Sequence, residues 1–121
     1  MKDKKNLKYL KNIKEILKNP NDKLIAVDID GTLSEGDCWN KDDDPKPIKE
    51  MIDFVNNLYR RGGHIIIYTS RFTDMYQMTL AWLIKHGVLF HGISMRIKIG
   101  ADCYIDDKAI NIKDVYKLIN K

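Results

Sequence analysis

Residues 24–33 read LIAVDIDGTL, an apolar run that ends in Asp28 and Asp30 and continues into Gly31 and Thr32. Side chains of a strand alternate between its two faces, so Asp28 and Asp30 are expected on the same side of the chain at the strand's carboxyl end. Parallel α/β sheets place their active sites at that end. The stretch therefore predicts a first strand followed by two acidic side chains, which suit a metal ion and a phosphate better than a core.

Length and composition favour one domain, residues 1–121, built around an apolar core. Of the 121 residues, 44% are hydrophobic and 31% are charged, and chains of this length commonly fold as a single domain. No apolar run approaches the roughly 20 residues of a membrane span. No apolar signal-peptide core follows the lysine-rich start. We therefore expect a cytoplasmic protein with no membrane partner.

The positive charge is concentrated at the start of the chain. The net charge is +4, and residues 1–19 hold seven lysines against Asp3 and Glu15, so this segment carries +5 and the remainder −1. Within residues 1–20, apolar side chains recur at helical steps opposite a lysine stripe. We expect a basic amphipathic helix that packs on the core, residues 24–121. Tyr9 is the single aromatic residue among the lysines, so the pattern shows no repeated aromatic interleaving that would favour nucleic acid.

The remaining chain alternates predicted strands and helices. The predicted strands are Leu24 to Asp28, His64 to Thr69, Ile93 to Met95 and Ala101 to Ile105. The predicted helices begin at Pro47, at Thr73 as the capping residue, and at Asn111; the first ends at Gly62-Gly63 and the second near His86. This order predicts an α/β, Rossmann-like, doubly wound parallel sheet. Cys38 and Cys103 form no CxxC pair, so both are expected as free thiols.

Polar residues follow three of these strands. They are Asp28 and Asp30 after the first, Thr69 and Ser70 after the second, and Asp106 and Asp107 after the last, with Lys98 ahead of the last pair. Four carboxylates converging within about 5 Å would repel one another by roughly 3 kcal/mol per pair at an effective dielectric of about 20. A cation is therefore expected among them, and Mg²⁺ suits such oxygen ligands together with a phosphate.

This ordered set resembles the four motifs of the haloacid dehalogenase superfamily of phosphotransferases. The motifs appear as VDIDGTL, IIIYTSR, Lys98 within KIGADCYIDD, and Asp106-Asp107, so the resemblance covers nearly everything from Leu24 to Ile112. YTSR, WLIKHG and ADCYIDDKAI are similar to small capless sugar-phosphate phosphatases of the capsule-biosynthesis type. The resemblance implies a capless core of this superfamily behind an N-terminal helix. It also implies a phosphoric monoester hydrolase that acts on a small phosphorylated metabolite, with sugar phosphate favoured.

The resemblance also implies roles for individual residues. Asp28 would be the nucleophile that forms an aspartyl-phosphate, and its other oxygen would bind Mg²⁺. Asp30 would protonate the leaving oxygen and later activate water, while its backbone carbonyl would bind the metal ion. Thr69 would hydrogen-bond the transferring phosphoryl group. Asp106 would complete the metal shell, with Asp107 as a ligand or as a partner of the ligands.

Three basic or polar residues complete the predicted site. Lys98 would supply positive charge to the phosphoryl group and to Asp28, with Arg96 as the alternative. Ser70 and Arg71 are assigned to substrate binding, with a surface salt bridge as the alternative for Arg71.

Several alternatives remain open at this point. The substrate could be a nucleotide or a phosphorylated macromolecule. Receiver domains of signalling proteins share the sheet type and the residue types, but their paired acids come first and their phosphorylated aspartate follows a middle strand. A catalytically silent binding domain is a further alternative. The intervals 31–45 and 70–92 are too short for a cap domain, so cover would come from a flap carrying Cys38 and Trp39, from a homo-oligomer, or from a large substrate.

Overall fold

The computed structural model describes residues 14–36, 44–96 and 100–105. Residues 14–18 are helical. The elements that follow are β1 (Leu24–Val27), α1 (Lys49–Arg60), β2 (His64–Thr69), a 3₁₀ turn (Thr73–Met75), α2 (Tyr76–Lys85), β3 (Gly92–Met95) and β4 (Cys103–Ile105). Within the described ranges, no helix combines the length and the apolar character needed to cross a membrane.

The four strands form one parallel sheet in the order β3-β2-β1-β4. Ala26 of β1 is paired with Ile66 on one side and with Tyr104 on the other. The chain proceeds outward from β1 through β2 to β3 and places β4 on the opposite side of β1. The predicted α/β, Rossmann-like parallel sheet is confirmed, and the reversal of strand order falls at β1. In open α/β sheets, the crevice for a ligand lies at such a reversal, outside the carboxyl ends of the strands.

The core lies around β1 and β2. Ile25, Ala26 and Val27 are fully buried, and so are Ile65 and Ile67. The near-continuous apolar sequence of both strands is typical of parallel strands covered on both faces. The helices add further buried side chains to the same cluster, namely Ile52, Val55 and Leu58 from α1 and Trp82 and Leu83 from α2. Burying each large side chain stabilises the fold by about 1.5–3 kcal/mol.

Two predicted helix starts are wrong. Pro47 lies before α1, in an isolated antiparallel bridge with Ser34, and the Ile48 N–H donates to the Leu33 carbonyl at 2.7 Å. The chain is therefore still paired with the segment after β1, and α1 begins only at Lys49. Thr73 does not cap the second helix, because it is the first residue of the 3₁₀ turn, which has no side-chain cap.

The predicted helix ends agree better with the structure. Arg61 is the C-cap of α1, and Gly62 follows with a φ of +94°. A Cβ atom on Gly62 would also lie 2.3 Å from the Asn21 side-chain oxygen, so this position needs glycine for two reasons. His86 ends α2, as expected. β3 begins one residue earlier than predicted, and β4 two residues later.

Several sequence predictions lie outside the described residues. They concern the N-terminal helix over residues 1–13, the flap residues Cys38 and Trp39, Lys98, the acidic pair Asp106 and Asp107, and the helix expected from Asn111. These remain predictions.

Candidate active site

The turn after β1 is fixed by hydrogen bonds to a single carbonyl. The Ile29 carbonyl accepts the N–H groups of Thr32, Leu33 and Ser34 at 3.0, 2.8 and 3.0 Å. Gly31 has a φ of +82°, a conformation that glycine adopts without steric cost. Ile29 and Leu33 are fully buried, so apolar side chains anchor both ends of the turn. The sequence DIDGTL therefore builds a rigid corner at the carboxyl end of the central strand.

The two acidic residues of this corner lie in different surroundings. The Asp28 N–H donates to the Ile105 carbonyl at 3.0 Å, so the pairing of β1 with β4 extends to Asp28 itself, which is half-buried. Asp30 is buried, with 8% of its surface exposed. Asp28 is thus half-buried at the reversal of strand order, while the Asp30 side chain is more deeply buried in the protein.

The Asp30 carboxylate is bound by Arg71 through two hydrogen bonds. Nη2 of Arg71 donates to Oδ1 at 2.7 Å, and Nε donates to Oδ2 at 2.8 Å. The remaining terminal nitrogen, Nη1, donates to the Thr79 hydroxyl of α2 at 2.9 Å. The side chains of Arg71 and Asp30 are only 3% and 11% exposed. We call these three side chains the Asp30–Arg71–Thr79 network.

Thr69 and Ser70 connect β2 to this network. Thr69 is the last residue of β2 and is buried, and its hydroxyl accepts the Arg71 N–H at 3.1 Å. Ser70 is exposed, and its carbonyl accepts a hydrogen bond from the Arg96 guanidinium at 2.9 Å. The Thr69 carbonyl accepts the Arg96 N–H at 2.7 Å. Arg71 and Arg96 therefore both hydrogen-bond to the end of β2.

Arg96 also stacks on an exposed aromatic ring. Its guanidinium carbon lies 4.2 Å from the centroid of the Phe72 ring, which is 49% exposed. Arg96 has a φ of +65°. This is the residue that the sequence offers as an alternative to Lys98, and the structure places its guanidinium on the Ser70 carbonyl and on Phe72.

The far end of the loop after β1 is tied to α2. Nζ of Lys85 and Nε2 of His86 contact the two carboxylate oxygens of Asp44 at 2.6 and 3.0 Å. The hydrogen bond from Lys85, followed by that from His86, lowers the pKa of the Asp44 carboxyl below its usual value. The Trp82 indole N–H donates to the Pro45 carbonyl at 2.9 Å.

The structure brings some of the predicted site residues together. Asp30, Thr69 and Arg71 are joined by hydrogen bonds, and Asp28 is two residues from Asp30 on the same corner. Sequence analysis did not single out Thr79 or Phe72. An isolated threonine in a helix carries no signal of its own, and only the tertiary contact with Arg71 identifies it.

The corner after β1 offers oxygen donors of the kind that a hard divalent cation takes. They are the half-buried Asp28 carboxylate and the Asp30 main-chain carbonyl, while the Asp30 carboxylate is bound by Arg71. Mg²⁺ typically takes one or two carboxylates and keeps several waters. In residues 14–36, 44–96 and 100–105, no cluster of three His, Cys, Asp or Glu side chains could hold a metal ion.

Comparison with known proteins supports the fold. A conserved protein of Bacteroides thetaiotaomicron is 22% identical, with a TM-score of 0.62, over 83% of this chain and 91% of that one. A Vibrio cholerae protein known from its crystal structure is 24% identical, with a TM-score of 0.54, over 81% and 97%. A chain of the Pnkp1/Rnl/Hen1 complex is 20% identical, with a TM-score of 0.55, over 80% of this chain and 34% of that one.

No protein-family model matches the chain, and no curated protein matches its sequence. The three structural likenesses establish a shared fold.

Proposed function

We propose that this protein is a Mg²⁺-dependent phosphatase that hydrolyses a phosphomonoester through an aspartyl-phosphate on Asp28. The observation that carries the proposal is the corner after β1. It places a half-buried carboxylate at the reversal of strand order and a second, buried carboxylate two residues later. A nucleophile must reach its substrate, whereas an acid–base group benefits from being held in one orientation.

The proposed reaction has two steps. An oxygen of Asp28 attacks phosphorus while the bond from phosphorus to the leaving oxygen breaks, and Asp30 gives its proton to that oxygen. Water then attacks the phosphorus of the aspartyl-phosphate and loses a proton to Asp30, and inorganic phosphate leaves as Asp28 is regenerated. Proton transfer by a positioned carboxyl group typically contributes about 10²–10⁴-fold to the rate.

The charge of the phosphoryl group needs compensation. Mg²⁺ bound by Asp28 and the Asp30 carbonyl would neutralise the phosphate dianion that approaches a carboxylate. Thr69 would donate a hydrogen bond to the phosphoryl group, and Lys98 would add a positive charge, as the superfamily resemblance implies. Asp106 and Asp107 would complete the metal shell.

Two substrate classes are supported by different observations. A sugar phosphate is favoured by the likeness of YTSR, WLIKHG and ADCYIDDKAI to small capless phosphatases. A nucleotide or a phosphorylated RNA end is favoured by the exposed Phe72 ring under Arg96, because nucleobases stack on such rings. A similar fold occurs in a chain of an RNA repair complex. A panel of sugar phosphates, nucleotides and end-phosphorylated RNA oligonucleotides, ranked by kcat/KM, decides between the classes.

The central experiment measures hydrolysis of an aryl phosphate by the wild type and by Asp28→Asn. We expect multiple turnover in the wild type with Mg²⁺ and its abolition in Asp28→Asn, because an amide cannot act as the nucleophile. Asp53→Asn, which changes an exposed aspartate of α1, is the matched control and should keep full activity. Activity retained by Asp28→Asn would overturn the proposal.

A second experiment separates a phosphatase from a receiver domain. Asp30→Asn should turn over slowly and accumulate phosphate on Asp28, which intact-mass spectrometry detects as one added phosphoryl group. A receiver would instead accept phosphate from acetyl phosphate in the wild type and show little multiple turnover.

A further inference from the structure

Arg71 lies next to the proposed catalytic corner, but its charged group is not available to a substrate. The residue is 2% exposed, whereas Ser70 immediately before it is exposed to solvent. A side chain that binds a substrate phosphate directly must present its N–H groups to the crevice. This burial argues against the assignment of Arg71 to substrate binding that was made from its place in the sequence.

The contact of Arg71 with Asp30 fixes the plane of the carboxyl group. Nη2 and Nε donate to different oxygens at 2.7 and 2.8 Å, which is the paired geometry of an arginine with a carboxylate. Each carboxylate oxygen has two lone-pair sites. The paired contact uses one site on each oxygen, and the second site on each oxygen is where a proton is exchanged. Arg71 can thus hold Asp30 without blocking proton transfer.

Arg71 is itself held from two other elements. Its Nη1 donates to the Thr79 hydroxyl of α2, and its main-chain N–H donates to the Thr69 hydroxyl at the end of β2. Arg71 therefore links the Asp30 side chain, on the corner after β1, to both β2 and α2. An ion pair this deeply buried contributes little net stability compared with apolar residues of the same size. Orientation of Asp30 is the better explanation for its presence.

We infer that Arg71 is a positioning residue that orients Asp30 for proton transfer, with Thr79 as its support; this inference rests on the proposed phosphatase activity. Lysine at this position would keep the charge but lose the paired contact, because its ammonium group is a single point of donation. Loss of the paired contact would let the carboxyl group rotate. Misplacement of a reacting group by about 1 Å can cost about 100-fold in rate.

The test is a double-mutant cycle between Arg71→Lys and Asp30→Asn, with kcat and KM measured on the best phosphomonoester of the panel. We expect Arg71→Lys to lower kcat by about 10–100-fold while KM changes by less than about threefold. In the Asp30→Asn background the same substitution should change kcat by less than about twofold, because there is no longer a catalytic carboxyl group to orient.

Thr79 provides a milder variant that preserves the ion pair. Thr79→Val replaces the hydroxyl with a methyl group of similar size and should lower kcat by about 2–10-fold, while Thr79→Ser should restore it. Circular dichroism and the unfolding midpoint are recorded for every variant, and kcat is calculated from the concentration of folded protein. This pair keeps the inference testable if Arg71→Lys fails to fold.

The contrary outcomes are distinct. A raised KM with an unchanged kcat would mean that Arg71 contacts the substrate, and equal losses of kcat in both backgrounds would mean that it does not act through Asp30. An unchanged kcat in Arg71→Lys and in Thr79→Val would make the network merely structural. If the wild type turns over no phosphomonoester, the proposed function fails and this inference fails with it. If the wild type is active and the variants give one of the contrary outcomes above, the inference alone is wrong.

Discussion

At the scale of single residues, Asp28 and Asp30 show how the same side chain acquires different properties two positions apart. Asp28 directly follows β1 and is half-buried, and its N–H donates to the Ile105 carbonyl of β4. Asp30 lies within the turn and faces Arg71 in the interior. Pairs of carboxyl groups in unlike surroundings are a recurrent way to divide nucleophilic and acid–base work.

Cys103 provides a prediction at this scale. Burial, and next the charge of Asp102, raises the pKa of the Cys103 thiol from 9.0 to about 11. Because the thiolate is the reactive form, at pH 8 the folded protein should be alkylated by iodoacetamide about 100-fold more slowly than the urea-unfolded chain. The Cys38→Ser variant leaves Cys103 as the only thiol and makes the rate interpretable. The rate should rise with pH until about 11, because a raised pKa means that the folded state holds the proton more tightly.

Equal alkylation rates of folded and unfolded Cys38→Ser at pH 8 would show that β4 does not shield the thiol. Cys103 would then be an exposed thiol of ordinary reactivity.

The residues that sequence analysis identified are those with a local signature. Asp28, Asp30 and Thr69 were singled out because each stands at or just after the end of an apolar strand, and that position can be read from the local sequence. Thr79 was missed, because its role depends on which side chain meets α2 in three dimensions. Pro47 was misplaced for a related reason: its local preference for a first helical turn is outweighed by the bridge with Ser34.

At the scale of elements, a buried asparagine connects α1 to the loop between α2 and β3. Nδ2 of Asn56 donates to the Gly87 carbonyl at 2.8 Å, and Oδ1 accepts the Leu89 N–H at 2.8 Å. Asn56 is 6% exposed. The side chain therefore satisfies two main-chain groups of the connection from α2 to β3.

Replacing Asn56 with alanine should destabilise the protein by about 1–3 kcal/mol, because the Gly87 carbonyl and the Leu89 N–H each lose a hydrogen bond. Urea unfolding followed by circular dichroism measures the change. Asn57→Ala, at the exposed neighbouring position of α1, is the control and should change the free energy of unfolding by less than about 0.5 kcal/mol. If the two variants unfolded with the same midpoint, the Asn56 contacts would have no energetic role.

The elements themselves were largely predictable because their patterns are strong. The β2 segment HIIIYT was identified with its exact bounds, since a short apolar run between glycines and polar residues is typical of a central parallel strand. The start of α1 was not, because the pairing of Ile48 with Leu33 delays it. Helix starts depend on contacts made by the preceding loop, which a sequence pattern does not contain.

At the scale of the whole molecule, the sheet order places the proposed site at the carboxyl end of β1, the strand at which the strand order reverses. β1 is bonded to β2 and β4, and the corner after it lies at the reversal of strand order. The two ends of the loop after this corner are hydrogen-bonded to each other, because the Glu35 N–H donates to the Lys46 carbonyl at 2.8 Å. Only residues 36–45 lie between them, so we continue to predict that no cap domain is inserted here.

The proposed metal site predicts that Mg²⁺ stabilises the fold. A cation bound by Asp28 would hold the end of the central strand, and a ligand that binds only the folded state stabilises it by about 1.4 kcal/mol at ten times its dissociation constant. For a domain of this size we expect protein stripped with a chelator to gain about 3–6 °C in its unfolding midpoint when Mg²⁺ is added at that level. Differential scanning calorimetry measures the shift, with NaCl at matched ionic strength as the reference.

Asp28→Asn should lose this gain, whereas Asp53→Asn on the exposed face of α1 should keep it. Each variant is compared with itself with and without Mg²⁺, so that the effect of removing a charge on the fold cancels. An equal gain in Asp28→Asn would place the cation elsewhere in the molecule. Such a result would separate the metal site from the corner after β1, even if that corner still carried the nucleophile.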